Sequence, residues 1–491
     1  MNTPKTQETH QAGTPRPSAP GIRHTQPAPS RRLRTALRVG LGLLSASLVF
    51  ALHPGVPQAA ELERPKLKKA PPPPPRTPQP KATPKPSSPV FPGDHAQLVL
   101  LTHATLHVGD GTVIEDATLA MQNGVITQVA ASAPSTPGAD VHDLRGKLVT
   151  PGLIAADTQL GLVEISLEDS TRDDSRRDGQ AIRAGYDPAS AINAESSLIP
   201  IQAIEGVTTA AVAPSGALIS GQITWIDLLA GEHTKLVAAP EIAVSANLGR
   251  AHHGSRAASL AELRRAFEDA RWYRDNQRSY DRGAARELAA HPLDLRALWP
   301  LLAGEVPLVV HADRASDLLA LLELQAEFEL RLTIVGGTEA WKVRDQLAAA
   351  EVVVVVQPTQ NLPSSFDRLG ARLDNAALLD AAGVPVAIAH FDTHNARNLT
   401  QEAGIAVANG LDPAAALRAI TYNVALAYGM EDRYGTIAVD KVANVVVWDG
   451  DDPFELSTWP EQVWIRGRAI EMRSRQTQLR DRYMNLDTFP E

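Results

Sequence analysis

The chain contains no cysteine among its 491 residues, and aromatic residues make up only 4% of it. The absence of thiols excludes disulfide frameworks, cysteine-ligated zinc, iron–sulfur clusters, thiol nucleophiles and a bacterial lipoprotein anchor. Any metal site must therefore use nitrogen and oxygen ligands. Basic residues are fewer than acidic ones, 47 against 56, so the net charge is −9. A net acidic chain is a poor general nucleic-acid binder, so no nucleic-acid partner is expected.

Charge and proline are distributed unevenly along the chain. Residues 1–94 hold 14 Lys and Arg against 4 Asp and Glu, and they contain 20 of the 37 prolines. That segment carries +10, whereas the other 397 residues hold 33 basic against 52 acidic residues and carry −19. The composition therefore predicts a basic, proline-rich N-terminal segment that is joined to an acidic folded part. The folded part is long enough to bury a large core.

The N-terminal segment has the pattern of an export signal. Residues 30–38 (SRRLRTALR) are basic, residues 39–52 (VGLGLLSASLVFAL) are apolar, and a small-residue stretch reaches Ala59 and Ala60. This order predicts a secretory signal within residues 1–60, with an uncleaved signal anchor as the alternative. The apolar run is shorter than the roughly 20 residues that a membrane span needs. We therefore expect an exported protein that is periplasmic or associated with the cell envelope.

Residues 61–94 are rich in proline and lysine. Proline fixes φ and removes an N–H donor, so such a tract favours an extended polyproline II conformation. It predicts a disordered, semi-rigid linker with a rise of roughly 3 Å per residue. The tract would serve as a tether through the cell envelope, as a ligand for a proline-binding module, or as a plain linker.

The remaining residues predict an α/β fold. Residues 95–150 and 439–491 are rich in short strands, and we expect them to form a small β-sandwich from both ends of the domain. Between them, residues 151–438 alternate apolar runs, such as 352–356 (VVVVV), with helical patterns. Buried strands that alternate with amphipathic helices indicate βα units and a parallel sheet. This middle part has the length of a (β/α)8 TIM barrel.

Several separated blocks resemble one family. They are the segments 146–154 (GKLVTPGLI), 205–209 (EGVTT), 214–222 (PSGALISGQ), 421–429 (TYNVALAYG) and 440–448 (DKVANVVVW). Their order resembles the amidohydrolase superfamily, and its imidazolonepropionase-like branch in particular, over about residues 96–475. The resemblance implies a barrel with a small β-sandwich. It also implies a hydrolase that cleaves non-peptide C–N bonds, in which a metal-bound water attacks and an Asp after the eighth strand takes the proton.

The resemblance also implies a set of metal ligands, which this chain retains only in part. Relatives carry His-x-His after the first barrel strand, where this chain has Asp157 and Gln159. His311 matches the ligand at the fifth strand, with a hydrogen-bonded structural histidine as the alternative. Gly336 lies in the block where many relatives have another histidine. Lys235 follows a turn-like segment, which argues against a metal pair bridged by a mid-barrel lysine.

The eighth-strand block is 386–395 (VAIAHFDTHN). Asp392 is its only carboxylate and the candidate catalytic residue, with a register shifted by one position, which puts Phe391 at the strict site, as the alternative. His390 is a further candidate ligand, and His394 is a candidate substrate-binding residue. Both histidines could instead cap the loop.

Three residues in long loops complete the candidate substrate-binding set. Glu164 follows the first-strand block closely, and His252 and His253 belong to a loop expected over the mouth of the barrel. For the two loop histidines the competing interpretation is simple solvent exposure.

Two functional hypotheses follow. The first is an exported amidohydrolase for a small-molecule substrate, with one divalent ion (Zn, Mn or Fe) held by Asp157, Gln159, His311 and His390. The second is a catalytically inactive amidohydrolase fold that binds a ligand or a partner and holds no metal. A homo-oligomer is compatible with both hypotheses.

Overall fold

The computed structural model describes residues 96–131, 137–175, 179–249 and 254–484. In that part of the chain two sheets account for all the strands. The strands are β1 (Val99–His107), β2 (Val113–Gln122), β3 (Val125–Ala130), β4 (Asp140–Asp143), β5 (Leu148–Pro151), β6 (Leu153–Thr158), β7 (Val207–Val212), β8 (Ile219–Asp227), β9 (Val237–Asn247), β10 (Leu308–Ala312), β11 (Leu332–Gly336), β12 (Val353–Val356), β13 (Val386–Ile388), β14 (Val445–Trp448), β15 (Pro460–Ile465) and β16 (Arg468–Ala469).

The larger part of the domain is a nearly closed barrel of eight strands in the order β13-β12-β11-β10-β9-β8-β7-β6. The predicted TIM-barrel fold is confirmed, with one local difference. Strand β8 runs antiparallel to both β7 and β9. The segment 213–218 that joins β7 to β8 contains no helix, so the chain reverses direction there instead of crossing over.

The described part of the chain contains eleven α-helices, most of which pack around the barrel. They are α1 (Leu198–Ala203), α2 (Arg256–Asp281), α3 (Pro292–Ala297), α4 (Trp299–Leu302), α5 (Ala315–Phe328), α6 (Arg344–Ala349), α7 (Asn375–Ala381), α8 (Leu399–Ala408), α9 (Pro413–Ala419), α10 (Tyr422–Ala427) and α11 (Arg475–Met484). Short 3-10 helices lie at Asp169–Thr171, Pro188–Ser190, Ala340–Lys342, Phe366–Arg368 and Thr393–Asn398. Within the described ranges, every helix is too short or too polar to cross a membrane.

The second sheet combines strands from both ends of the domain. Its order is β16-β15-β14-β5-β1-β2-β3, with β4 also paired to β1. The central pairing is antiparallel and sets Val149 of β5 opposite Val447 of β14. The predicted sandwich is thus one continuous hydrogen-bonded sheet. Its edge strand β3 returns to the segment before β14, where Ile126 N–H donates to Lys441 O at 2.9 Å.

Aromatic side chains from the C-terminal segment fill the interior of the barrel. Helix α10 lies at the amino ends of the strands, because Asn423 Nδ2 donates to Val386 O at 2.7 Å and Thr333 Oγ1 donates to Ala427 O at 2.8 Å. Directly after this helix, the buried ring of Tyr428 packs 5.9 Å from Trp225. Helix α10 therefore closes the end of the barrel opposite to the mouth.

A buried polar network joins the barrel to the terminal sheet. Asp227, the last residue of β8, accepts hydrogen bonds from Arg466 Nε at 2.7 Å, Tyr434 Oη at 3.1 Å, Asn444 Nδ2 at 3.0 Å and Thr209 Oγ1 at 3.2 Å. The side chains of Arg466 and Asp227 are 1% and 0% exposed. Buried charges of this kind are stable only when they are paired and hydrogen-bonded.

Candidate active site at the barrel mouth

A cavity of about 380 Å³ lies at the carboxyl ends of the barrel strands. Its walls include Asp157 from the end of β6, Asn247 from the end of β9, His311 from β10 and Gly336 from the end of β11. Barrels of this kind carry their ligand sites at this face, because the loops that follow the strands converge there. The cavity is therefore the candidate active site.

Asp157 and His311 meet in this cavity. Asp157 Oδ1 lies 3.1 Å from His311 Nε2, although the two residues belong to the first and fifth strands of the barrel. Asp157 adopts a left-handed φ of 54°, which Asp tolerates better than most residues do. Its N–H donates to Tyr428 Oη at 3.1 Å, and this bond holds the strained backbone from inside the barrel.

The electrostatic environment of the pair is set by burial and by neighbouring carboxylates. Burial lowers the pKa of His311, but the charge and hydrogen bond of Asp157, together with the charge of Asp313, outweigh burial and raise the pKa above its usual value. Burial, with the charge of Asp157 added, raises the pKa of Tyr428 well above its usual value.

Gln159 lines the same cavity, and its backbone N–H and its side-chain NH2 group are already bonded. Its N–H donates to Thr393 Oγ1 at 3.0 Å, and Nε2 donates to Asp174 Oδ2 at 3.3 Å. Asp174 is buried, and it also accepts from Ser215 Oγ at 2.7 Å and pairs with Arg172 at 3.2 Å. Gln159 thus belongs to a network that fixes the loop after β6.

After β13 the chain turns Phe391 and Thr393 toward the cavity, whereas Asp392 is absent from the cavity walls. Asp392 caps the following 3-10 helix instead. Its Oδ1 accepts from His394 N–H at 3.0 Å, and its Oδ2 accepts from Asn395 Nδ2 at 2.9 Å. The structure therefore does not bring Asp392 together with the Asp157–His311 pair, and the aromatic residue occupies the inward position.

His390 and His394 also bond outside the cavity walls. His390 Nδ1 accepts from Asp392 N–H at 3.3 Å, and its Nε2 lies 3.8 Å from the buried carboxylate of Glu402. His394 Nε2 lies 3.0 Å from the backbone oxygen of Glu164. Both imidazoles hold loops, which is the alternative that the sequence left open for them.

Glu164 connects the loop after β6 to the start of α1. Its carboxylate accepts from Ser196 Oγ at 2.5 Å and from Ser197 N–H at 3.1 Å, and it also contacts Ser197 Oγ. Burial alone would raise the pKa of Glu164, but these hydrogen bonds outweigh it and lower the pKa. His252 and His253 lie outside the described residues.

Charged residues that the sequence did not single out form another wall of the cavity. Arg256, at the start of α2, pairs through Nε with Asp317 at 2.6 Å and through a terminal nitrogen with Asp367 at 2.7 Å. Arg368 Nε pairs with Asp313 at 2.9 Å. Of these residues only Asp313 had a signal in the sequence, since it lies two residues after His311 and directly follows the end of β10 at Ala312.

Members of the superfamily that the sequence motifs resemble use divalent metals. A catalytic zinc site takes three protein ligands. In the described ranges, no three His, Asp or Glu side chains come together in a way that would hold a metal ion. Asp157 and His311 supply two donors, and these already bond each other. The described residues of the cavity therefore do not fit a resident metal.

Comparisons with known proteins agree with the fold. Residues 320–470 match the Amidohydrolase family. An amidohydrolase of Thermotoga maritima superposes with a TM-score of 0.69 at 23% identity, covering 76% of this chain and 100% of that one. An imidazolonepropionase of Sphingopyxis alaskensis is 27% identical over 392 residues, which cover 72% of this chain and 91% of the relative.

These matches confirm the resemblance of the chain to the amidohydrolase superfamily. The match along nearly the whole length of the Sphingopyxis relative also confirms the resemblance to the imidazolonepropionase-like branch. The amidohydrolase tasK of Hapsidospora irregularis is 25% identical over 389 residues, and the matched segment spans only 39% of that longer protein. This superfamily is one of hydrolases, and the cavity described above occupies the position at which its barrel carries ligands.

Proposed function

We propose that the protein hydrolyses a non-peptide C–N bond of a small polar molecule held in the barrel-mouth cavity. Cyclic amides, N-acyl amino acids and dipeptides are the substrate classes to test first. The length match to an imidazolonepropionase supports the cyclic-amide class. The size of the cavity, about 380 Å³, supports a small molecule, because ligand pockets start at roughly this volume.

The observation that carries the proposal is the Asp157–His311 pair. A carboxylate that bonds one imidazole nitrogen orients the ring and supports proton transfer at the other nitrogen. His311 Nε2 faces Asp157, so Nδ1 is the ring nitrogen that Asp157 does not contact. In the proposed reaction the imidazole takes a proton from the attacking water and returns it to the leaving nitrogen. No step passes through Asp392.

The test is a hydrolysis assay of the full chain on a panel of cyclic amides, N-acyl amino acids and dipeptides. We expect turnover that His311→Gln reduces by about 100-fold or more, since general acid–base catalysis contributes 10²–10⁴-fold. His142→Gln is the matched control, because His142 lies in β4 of the terminal sheet and should leave turnover unchanged. Turnover that survives His311→Gln would contradict the proposed role.

A second candidate function is ligand binding without catalysis. It is favoured by the position of Asp392, which caps a helix and does not line the cavity. Thermal-shift measurements with the same panel distinguish the two. Stabilisation by a compound that remains intact after prolonged incubation would favour the binding protein, whereas consumption of the compound would favour the hydrolase.

We also propose that the protein is exported, on the basis of residues 1–60 alone. These residues, and the linker at 61–94, lie outside the described part of the chain. Cell fractionation and mass determination of the N-terminus would test the proposal. A protein recovered from the cytoplasm with Met1 in place would contradict it.

A further inference from the structure

The carboxylates around the cavity are already matched by side-chain cations. Asp313 accepts from Thr338 Oγ1 at 2.5 Å through one oxygen and pairs with Arg368 through the other. Asp317 and Asp367 share Arg256. A divalent cation is held by carboxylates and imidazoles that are available for coordination. These three carboxylates are paired with guanidinium groups and are therefore not available to coordinate a cation.

The acidic residues at and after the end of the first barrel strand, β6, are likewise paired with protein donors. Asp174, the acidic residue nearest to Gln159, is buried against Arg172, Ser215 and the Gln159 amide. Asp157 is bonded to the imidazole of His311, the one histidine among the described cavity walls. Each acidic side chain of the cavity therefore has a protein donor as its partner.

We propose that the Asp157–His311 pair stands where other members of the superfamily hold a metal ion, and that this barrel is built without a resident divalent cation. The left-handed backbone at Asp157 and the bond from its N–H to Tyr428 Oη hold the carboxylate toward His311. The arrangement is thus fixed by the protein itself. In this proposal the site lacks affinity for a metal because positions 157 and 159 carry no imidazole.

Metal content measures this directly. The full chain, produced in medium supplemented with zinc and manganese and then dialysed, is analysed by inductively coupled plasma mass spectrometry. We expect less than about 0.1 equivalent of metal per chain, because two mutually bonded donors cannot replace a three-ligand site. About one equivalent of tightly held metal, lost in His311→Ala, would overturn the proposal.

A gain-of-binding variant tests the stated cause. Asp157→His combined with Gln159→His adds two imidazoles beside His311, and we expect it to retain about one equivalent of zinc. The matched control is Val113→His combined with Glu115→His, which places the same spacing on the exposed start of β2 and should retain no zinc. Circular dichroism identifies any variant that fails to fold, and Gln159→His alone is then the replacement. A folded barrel-mouth variant that retains no more zinc than the control would overturn the stated cause.

The inference rests on the proposed function only for the location of the active site, so the two can fail separately. Metal-free protein with turnover supports both. Metal-free protein without turnover supports the absence of a metal and contradicts the hydrolase. Turnover that requires stoichiometric bound metal contradicts the inference alone.

Discussion

The buried ion pair between the barrel and the terminal sheet allows a quantitative prediction about stability. Asp227→Asn keeps the size and shape of the side chain and removes its charge. In the native network one oxygen of Asp227 accepts from Thr209 and Asn444, and the other accepts from Arg466 Nε and Tyr434 Oη. An amide whose oxygen keeps the first pair of bonds must turn its NH2 group toward Arg466 Nε, which can only donate, and toward the hydroxyl of Tyr434.

The expected cost follows from the burial of the pair. The guanidinium of Arg466, 1% exposed, would remain in the interior without its carboxylate partner. Removing one member of a buried ion pair costs about 3–5 kcal/mol of unfolding free energy. We expect a loss in this range for Asp227→Asn in urea unfolding monitored by tryptophan fluorescence.

The chain offers a matched control a few residues away, between the loop that follows β8 and the first residue of β16. Arg468 pairs with Glu232 at 2.9 Å, and the two side chains are 59% and 36% exposed. Exposed pairs contribute about 0.2–1 kcal/mol, so Glu232→Gln should change the unfolding free energy by no more than that. Equal losses for Asp227→Asn and Glu232→Gln would refute the reasoning, because burial is the only factor invoked to separate them.

Three further predictions concern the barrel. Gly152→Ala should lower the midpoint of thermal unfolding, since a Cβ there would lie 2.1 Å from the buried Thr208 Oγ1 and overpacking costs about 1–3 kcal/mol; an unchanged midpoint would contradict this. Tyr428→Phe leaves the N–H of Asp157 without its acceptor, and urea unfolding should show a loss of about 1–3 kcal/mol. The pKa of His311 is raised in the folded protein, so its stabilising contribution is complete below its unfolded pKa and is lost as the pH rises through the folded pKa. His311→Gln should remove this part of the pH dependence of unfolding, and an identical pH profile for the variant would contradict it.

The barrel was predictable because its strands are short, apolar and separated by helical patterns. Segments such as Val353–Val356 are buried on both sides, which is what an uninterrupted apolar run indicates. The antiparallel strand β8 was not predictable in this way. All nine of its residues are buried, so its composition is that of a parallel strand and carries no sign of its direction.

Within the site, the meeting of Asp157 and His311 follows from their positions at the carboxyl ends of two barrel strands. The orientation of Asp392 does not follow, because β13 ends at Ile388 and the strand period no longer applies beyond it. Arg256 and Arg368 were missed for a related reason. They lie in segments after β9 and β12, and their positions depend on ion pairs with Asp317 and Asp313, which are distant in the sequence. No local periodicity of the sequence predicts these pairs.

The pairing of β5 with β14 has a consequence for the order of folding. Trp448 Nε1 donates to Thr150 Oγ1 across 298 positions of the chain. A ribosome must therefore synthesise almost the whole domain before the first strands of the terminal sheet gain their central neighbour. Contacts of such long range slow folding, since the loop must close before the pairing is gained. The edge of β5 accordingly lacks its neighbour β14 until synthesis is nearly complete, although β1, β2 and β3 can pair with one another earlier.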